Sequence, residues 1–298
     1  MSFPMTYMSG ENAMSMNVKV AVAQIDARVG DLKGNLEHHC ESVEAARKLG
    51  ARLVIFPELS LTGYSLRDLA WEVALDPAAD PRLARLRKAS KQVSVAFGCV
   101  EGGSDHGIYN SAVFLEDGEV RHIHRKVYPP TYGMFEEGRY FSAGSSVCAF
   151  ESRHGRFGML ICEDMWHVTL PYLLAYDGAE AIFCLTASPT RLGADRTDLD
   201  NRGVNHEHQR SYARLLSIYT VFANRAGFED GVNFWGGSAI MTPSGVSAAT
   251  AKLFDEDLIS APLLGTDIQR ARRFSRHMLD ERMDIVLRNL QKISDRRR

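Results

Sequence analysis

The sequence predicts an α/β fold of mixed sheets with helices on their outer faces, and three observations predict it. Continuous apolar runs, as at 18–25 and 53–56, read as strands buried on both faces, the habit of parallel sheets. Stretches with helical spacing separate them, as at 35–49. In the middle of the chain the texture changes to alternating runs joined by short polar turns, the mark of antiparallel hairpins.

The elements follow in order. Val18-Lys19-Val20-Ala21-Val22-Ala23-Gln24-Ile25 is a buried first strand. The next helix, over 35–49, places Leu36, Cys40, Val43 and Ala46 on one face and stops at Gly50. A second strand at 53–56 precedes a helix over 80–92 and a strand over 93–100. The runs 109–115 and 120–127 form a hairpin about Glu116-Asp117-Gly118-Glu119, and 147–152 pairs with 156–162 across Arg153-His154-Gly155. Alternation then resumes, with a helix at 166–177, a strand at 181–186, a helix at 205–217, and strands at 219–223, 234–241 and 259–264. A charged amphipathic helix over 269–293 closes the chain, suited to packing on its own domain or on a partner subunit. This organisation predicts a leader over 1–16, one domain over 17–268 and a helical tail over 269–298.

Composition narrows the function. With 298 residues, 45% hydrophobic and 24% charged, the chain can bury a sizeable core, and a formal net charge of −2 gives no electrostatic case for nucleic acid or an anionic membrane. No apolar stretch approaches the ~18 residues needed to span a bilayer. Five cysteines without a CxxC pair argue against a disulfide framework, and the expected compartment is the cytoplasm.

Three strands break into loops at side chains with complementary chemistry: Phe56-Pro57-Glu58, Arg125-Lys126, and Ile161-Cys162 followed by Glu163-Asp164-Met165-Trp166. Taken singly, Cys162 reads as a small buried hydrophobe, Glu58 as a loop carboxylate and Lys126 as a surface residue. Cys40, Cys99, Cys148 and Cys184 have apolar neighbours without the polar sequel and keep the reading of buried hydrophobes. Together the three junctions point to attack on an amide or nitrile carbon. A thiolate is the nucleophile such a carbon needs, yet free cysteine with pKa ~8.5 requires a base or cation nearby. Glu58 can take the thiol proton, pass it to the departing nitrogen and later activate water. Lys126 and the backbone N–H of Glu163 can receive the developing oxyanion.

The histidines do not compete with this reading. His38-His39, His122 with His124 and His206 with His208 lack the partner ligands of a zinc site and read as surface or helix residues. Gly236-Gly237 lacks the downstream lysine of a phosphate loop. No metal and no cofactor are expected.

The motifs at Glu58, at Arg125-Lys126-Val127-Tyr128-Pro129 and at Cys162-Glu163-Asp164 resemble those of the nitrilase, or carbon-nitrogen hydrolase, superfamily over roughly 18–264. The resemblance implies a four-layer α-β-β-α sandwich, assembled as dimers or larger homo-oligomers through the outer helices. It implies Glu58 as base, Lys126 as oxyanion stabiliser, Cys162 as nucleophile and Glu137 as a second glutamate. The stretch Tyr132-Gly133-Met134-Phe135-Glu136-Glu137 and the stretch Leu61-Thr62-Gly63-Tyr64 are most similar to the glutaminase domains of glutamine-dependent NAD synthetases, although no synthetase domain follows in this sequence. By that likeness Tyr64, Tyr132, Glu163 and Ser188 line the substrate pocket. One departure is Ala194, which stands where the likeness expects an arginine, with Arg191 and Arg196 nearby.

The expected activity is therefore a thiol-dependent amidase releasing ammonia from a small carboxamide through a thioester. The alternatives are an N-carbamoyl-amino-acid hydrolase, a nitrilase, or a glutaminase subunit feeding ammonia to a separate synthetase. A non-enzymatic interaction protein fits poorly, because a buried Glu, Lys and Cys cluster is costly unless used.

Overall fold

A computed structural model describes residues 16–190 and 200–297. The chain runs β1 (Asn17–Gln24), α1 (Leu32–Lys48), β2 (Leu53–Ile55), α2 (Leu69–Val73), α3 (Ala84–Ser90), β3 (Ser94–Gly102), β4 (Ile108–Glu116) and β5 (Glu119–Arg125). It continues through β6 (Phe150–Ser152), β7 (Gly155–Ile161), α4 (Thr169–Tyr176), β8 (Ala181–Thr186), α5 (Asp200–Leu216), β9 (Tyr219–Asn224), β10 (Ala226–Glu229) and β11 (Val232–Trp235). It ends with β12 (Ala239–Met241), β13 (Ser247–Thr250), β14 (Asp257–Leu264), α6 (Gly265–Phe274), α7 (His277–Asp280) and α8 (Met283–Arg297).

Two six-stranded sheets form, in the orders β14-β1-β2-β3-β4-β5 and β13-β12-β9-β8-β7-β6. Each is parallel at its centre (β1-β2-β3 and β9-β8-β7) and antiparallel at its edges, which is why the central runs are apolar throughout while the flanking hairpins alternate. The inner faces meet through Val20, Val22, Ile55 and Phe114 of one sheet and Phe157, Met159, Phe183 and Val221 of the other. Val43 and Ala46 of α1 and Leu86 of α3 cover the outer face of the first sheet, against Val54, Val95 and Phe97. Leu170 and Leu174 of α4 and Leu216 of α5 cover the second, against Leu160, Ile182 and Phe222. The layers are α-β-β-α. Each such fully buried apolar side chain contributes roughly 1.5–3 kcal/mol, so most of the stability resides in these three apolar seams.

Several elements differ from the expectation for local reasons. The first long helix starts at Leu32 rather than 35, because the Asp31 carboxylate accepts the Gly34 N–H at 2.9 Å and caps it. The expected strand over 234–241 is cut in two: Gly236 and Gly237 adopt φ of +68° and +59°, ending the separate β10–β11 hairpin before β12 begins. The run at 147–152 pairs only over β6. A 3-10 turn over Cys162–Trp166 precedes α4, which starts at Thr169 rather than 166. The closing helix is broken into α6, α7 and α8, with Ser275 extended after α6, and α8 exposes Leu287 and Leu290. Among the cysteines, Cys99 and Cys184 are buried as expected and Cys148 is exposed.

One glycine decides where the first candidate side chain can sit. A Cβ added to Gly98 on β3 would lie 2.2 Å from the backbone nitrogen of Leu59 and 2.7 Å from the carbonyl of Pro57. The turn after β2 therefore packs directly on β3, fastened by Leu61 N–H to Gly98 O at 3.0 Å and Gly98 N–H to Ser60 Oγ at 3.2 Å. That turn carries Glu58.

Candidate active site

β2, β5 and β7 end on the same side of the sandwich, and the residues just past them converge. Lys126, the first residue after β5, has Nζ 2.7 Å from Glu58 Oε1 and 2.7 Å from Glu137 Oε1. All three are buried, the lysine side chain only 1% exposed. Burial alone would lower the Lys126 pKa, but the Glu137 and Glu58 carboxylates outweigh it and hold the ammonium well above the ordinary lysine range. Burial pushes the Glu137 carboxyl up against the pull of Lys126. The backbone N–H of Ala187, just past β8, donates to Glu58 Oε2 at 2.8 Å. Tyr64 donates its hydroxyl to Glu137 Oε1 at 2.7 Å, and burial followed by the Glu137 charge raises its phenol well above the usual range.

Cys162 follows β7 directly and adopts φ of +44°, a left-handed conformation that costs a non-glycine residue about 1–2 kcal/mol. Asp164 holds it there. This buried carboxylate accepts Ile161 N–H at 3.1 Å, Val127 N–H at 3.0 Å, Tyr128 N–H at 3.1 Å and His124 Nε2 at 2.8 Å. One carboxylate thus fastens the turn that carries the thiol to the segment just past the ammonium. Burial, with Glu58 second, pushes the Cys162 thiol well above its ordinary pKa, and Lys126 offsets part of the rise. Glu58, Lys126 and Glu137 all act electrostatically on the thiol.

The other expected pocket residues divide into two groups. Tyr64 joins the ammonium cluster, and Ser188, buried, sits one residue from Ala187 with its Oγ accepting Trp235 Nε1 at 3.1 Å. Tyr132 and Glu163 meet at the exposed rim, where the tyrosine hydroxyl donates to Glu163 Oε2 at 2.8 Å. A cavity of about 230 Å3 shares Tyr64 and Glu137 with the cluster, and Phe141, Phe234, Met134 and an Arg67–Asp230 ion pair at 2.9 Å also line it. Arg191, Ala194 and Arg196 lie outside the described residues. Among the described residues no group of three or more His, Cys, Asp or Glu could hold a metal ion, and no helix is long and apolar enough to cross a membrane.

Residues that sequence reasoning passed over complete the site. The sequence assigns no role to Asp164 and shows Asn110 as an ordinary residue of β4, yet its Nδ2 donates to Glu58 Oε1 at 2.8 Å. His124 departs from the expectation of a surface or helix residue, whereas His39 is a helix residue as expected but a buried one. His124 is buried on Asp164, and His39 is buried between Asn35 O (2.7 Å) and Ser60 Oγ (3.0 Å), stacked on Phe56. Sequence spacing cannot separate such satisfied core histidines from surface ones, because the partners come from distant strands and turns.

Comparison with known proteins agrees with this architecture. The glutamine-dependent NAD(+) synthetase of Acinetobacter baylyi is 32% identical over 242 residues, covering 80% of this chain and 43% of that protein. The solved glutamine-dependent NAD+ synthetase of Acinetobacter baumannii superposes with a TM-score of 0.73 at 32% identity, covering 83% of this chain and 45% of the other. An amidase of the nitrilase superfamily from Nesterenkonia AN1 superposes with a TM-score of 0.76 at 23% identity, covering 92% and 97%, which speaks to the fold alone. The chain spans under half the length of the synthetases it matches. Its residues 19–273 match the carbon-nitrogen hydrolase family model, and the chain belongs to that family, within the nitrilase superfamily.

Proposed function

We propose that this protein is a thiol-dependent amidase that releases ammonia from a small carboxamide. The observation that carries the reading is the buried ammonium of Lys126 held between Glu58 and Glu137, with the Cys162 thiol in their electrostatic field. Burying three charges and a strained cysteine together is costly for stability and is economical only for chemistry.

In this mechanism Glu58 takes the proton of Cys162 as sulfur bonds to the amide carbon, and the carbonyl π pair moves onto oxygen. Lys126 has three N–H donors, and the two carboxylates occupy two. The third, with the backbone N–H of Glu163, receives the oxyanion. Glu58 then protonates the nitrogen, the C–N bond breaks and ammonia leaves a thioester. Water attacks that thioester, giving one proton to Glu58 and from there to sulfur, and the carboxylic acid departs. Glu137 keeps Lys126 charged and aimed, and Tyr64 fixes Glu137. The thiol requires no lowered pKa, because proton loss and attack are coupled. Tyr64, Tyr132, Glu163 and Ser188 are the proposed substrate contacts.

A second reading, a glutaminase that passes ammonia to a separate synthetase, is favoured by the names of the synthetases whose partial length this chain matches. One ammonia-release screen over glutamine, asparagine, simple amides, N-carbamoyl amino acids and nitriles tests both readings. The amidase reading expects turnover that disappears in Cys162→Ala and persists in EDTA. Activity retained by Cys162→Ala overturns it. Slow release from glutamine alone, accelerated by an added synthetase, selects the second reading.

A further inference from the structure

Asn110 is 1% exposed in the interior of β4 and sits in the middle of the buried charges. Its Nδ2 donates to Glu58 Oε1 at 2.8 Å and, more loosely, to Glu137 Oε2 at 3.4 Å. Its own backbone carbonyl accepts the N–H of Lys126 at 2.9 Å. Its side-chain oxygen, by contrast, is buried with no hydrogen-bond partner among the described residues. An amide satisfied on one side only is a poor choice for stability, since leucine fills the same shape without an orphaned acceptor. The half that is satisfied points at the two carboxylates.

Counting lone pairs gives that half a purpose. Each carboxylate oxygen offers about two acceptor directions. Among the described residues, Glu58 Oε1 accepts Lys126 Nζ and Asn110 Nδ2 and is full, whereas Oε2 accepts one donor, the Ala187 N–H. One acceptor direction on Oε2 is left. We propose that Asn110 is a positioning residue that closes Oε1 of Glu58 and commits this carboxylate to exchange protons with Cys162 through Oε2.

The inference rests on the amidase reading and adds an atom to it. The S–H bond of Cys162 breaks toward Oε2 as the S–C bond forms. The same proton leaves Oε2 for nitrogen as the C–N bond breaks. Without the amide donor, Oε1 gains an open acceptor direction on the side of Lys126. The ionised form of Glu58 loses one of three N–H donors, and the carboxylate is free to rotate. The charged and titratable groups that act on it are then Lys126, Glu137, Tyr64, Cys162 and Cys184.

The test uses iodoacetamide, a small amide electrophile, on the whole protein from pH 5 to 9, with intact and peptide mass spectrometry locating the adduct. Cys162→Ala provides the control against the other four cysteines. The expected result is that Asn110→Leu alkylates at Cys162 about 10- to 100-fold more slowly than the natural protein, with the acidic limb of its rate profile displaced upward by about one pH unit. Asn110→Ser, which keeps a hydroxyl donor, recovers part of both and also serves if the leucine variant does not fold. Natural rates and an unmoved profile in both variants overturn the proposal. So does a loss that is the same at every pH, because a packing defect gives that pattern. Failure of the amidase reading is seen separately, as a Cys162 that does not alkylate in the natural protein, and that outcome overturns both.

Discussion

Replacing Lys126 by methionine keeps the buried stem and removes the charge, which isolates the electrostatics of the cluster. The ammonium nitrogen is 2.7 Å from an oxygen of Glu58 and 2.7 Å from an oxygen of Glu137, so those oxygens stand no farther apart than twice that distance. At an effective dielectric of about 20 their mutual repulsion is roughly 3 kcal/mol, and breaking a buried ion pair typically costs about 3–5 kcal/mol. The variant is therefore expected to lose roughly 3–5 kcal/mol of stability near pH 8. The loss depends on pH, and its sign follows from linkage. With the lysine gone, one carboxyl must hold a proton in the folded state that it releases when unfolded at about pH 4.3. Its folded pKa lies above its unfolded value, so the folded variant binds more protons than the unfolded chain, and its stability falls as pH rises toward that folded pKa. Urea unfolding of both proteins at pH 5 and pH 8 measures this, with equal m-values as the check that compactness is unchanged. The expected deficit is smaller at pH 5. A loss below about 1 kcal/mol, or one of equal size at both pH values, would refute a buried, electrostatically coupled cluster.

Two further outcomes follow from single residues. Asp164→Ala removes the acceptor of three backbone N–H groups and His124, so stability should fall by about 3 kcal/mol or more, and iodoacetamide labelling of Cys162 should slow by at least tenfold; unchanged labelling would show that the turn at Cys162 holds its shape unaided. His39 is neutral in the fold, its pKa lowered to about 3 by burial, against about 6.5 unfolded, so its stability contribution is whole above about pH 6.5 and is lost as pH falls toward 3, by up to about 4–5 kcal/mol; a His39→Gln variant should show a shallower decline in urea midpoint between pH 6.5 and 4, and parallel curves would refute the assignment.

What was legible in the sequence was what local chemistry decides. Apolar runs such as 18–25 and 53–56 can be buried only on both faces, and the polar residue that ends a buried strand must emerge where loops gather. Glu58 and Cys162 follow such runs and Lys126 follows the second strand of a hairpin, so the three junctions are legible in the sequence, whereas the four-layer arrangement comes from the family resemblance. Illegible were the residues whose meaning depends on a partner far along the chain. Asp164 is adjacent to Glu163 in sequence, but its bonds reach to 124, 127 and 128. Asn110 is an ordinary strand position until the turn after β2 brings Glu58 against it, and that turn lies close only because residue 98 has no side chain. Gly98 itself carried no signal, since a glycine inside an apolar run is compatible with many explanations. The division has a physical cause. Charged groups declare themselves by type, whereas the groups that aim them are neutral amides, backbone N–H donors and a missing methyl. In the proposed mechanism the aiming groups decide which oxygen of Glu58 accepts a proton, so that reaction would be set as much by Asn110, Ala187 and Gly98 as by the charged residues they hold.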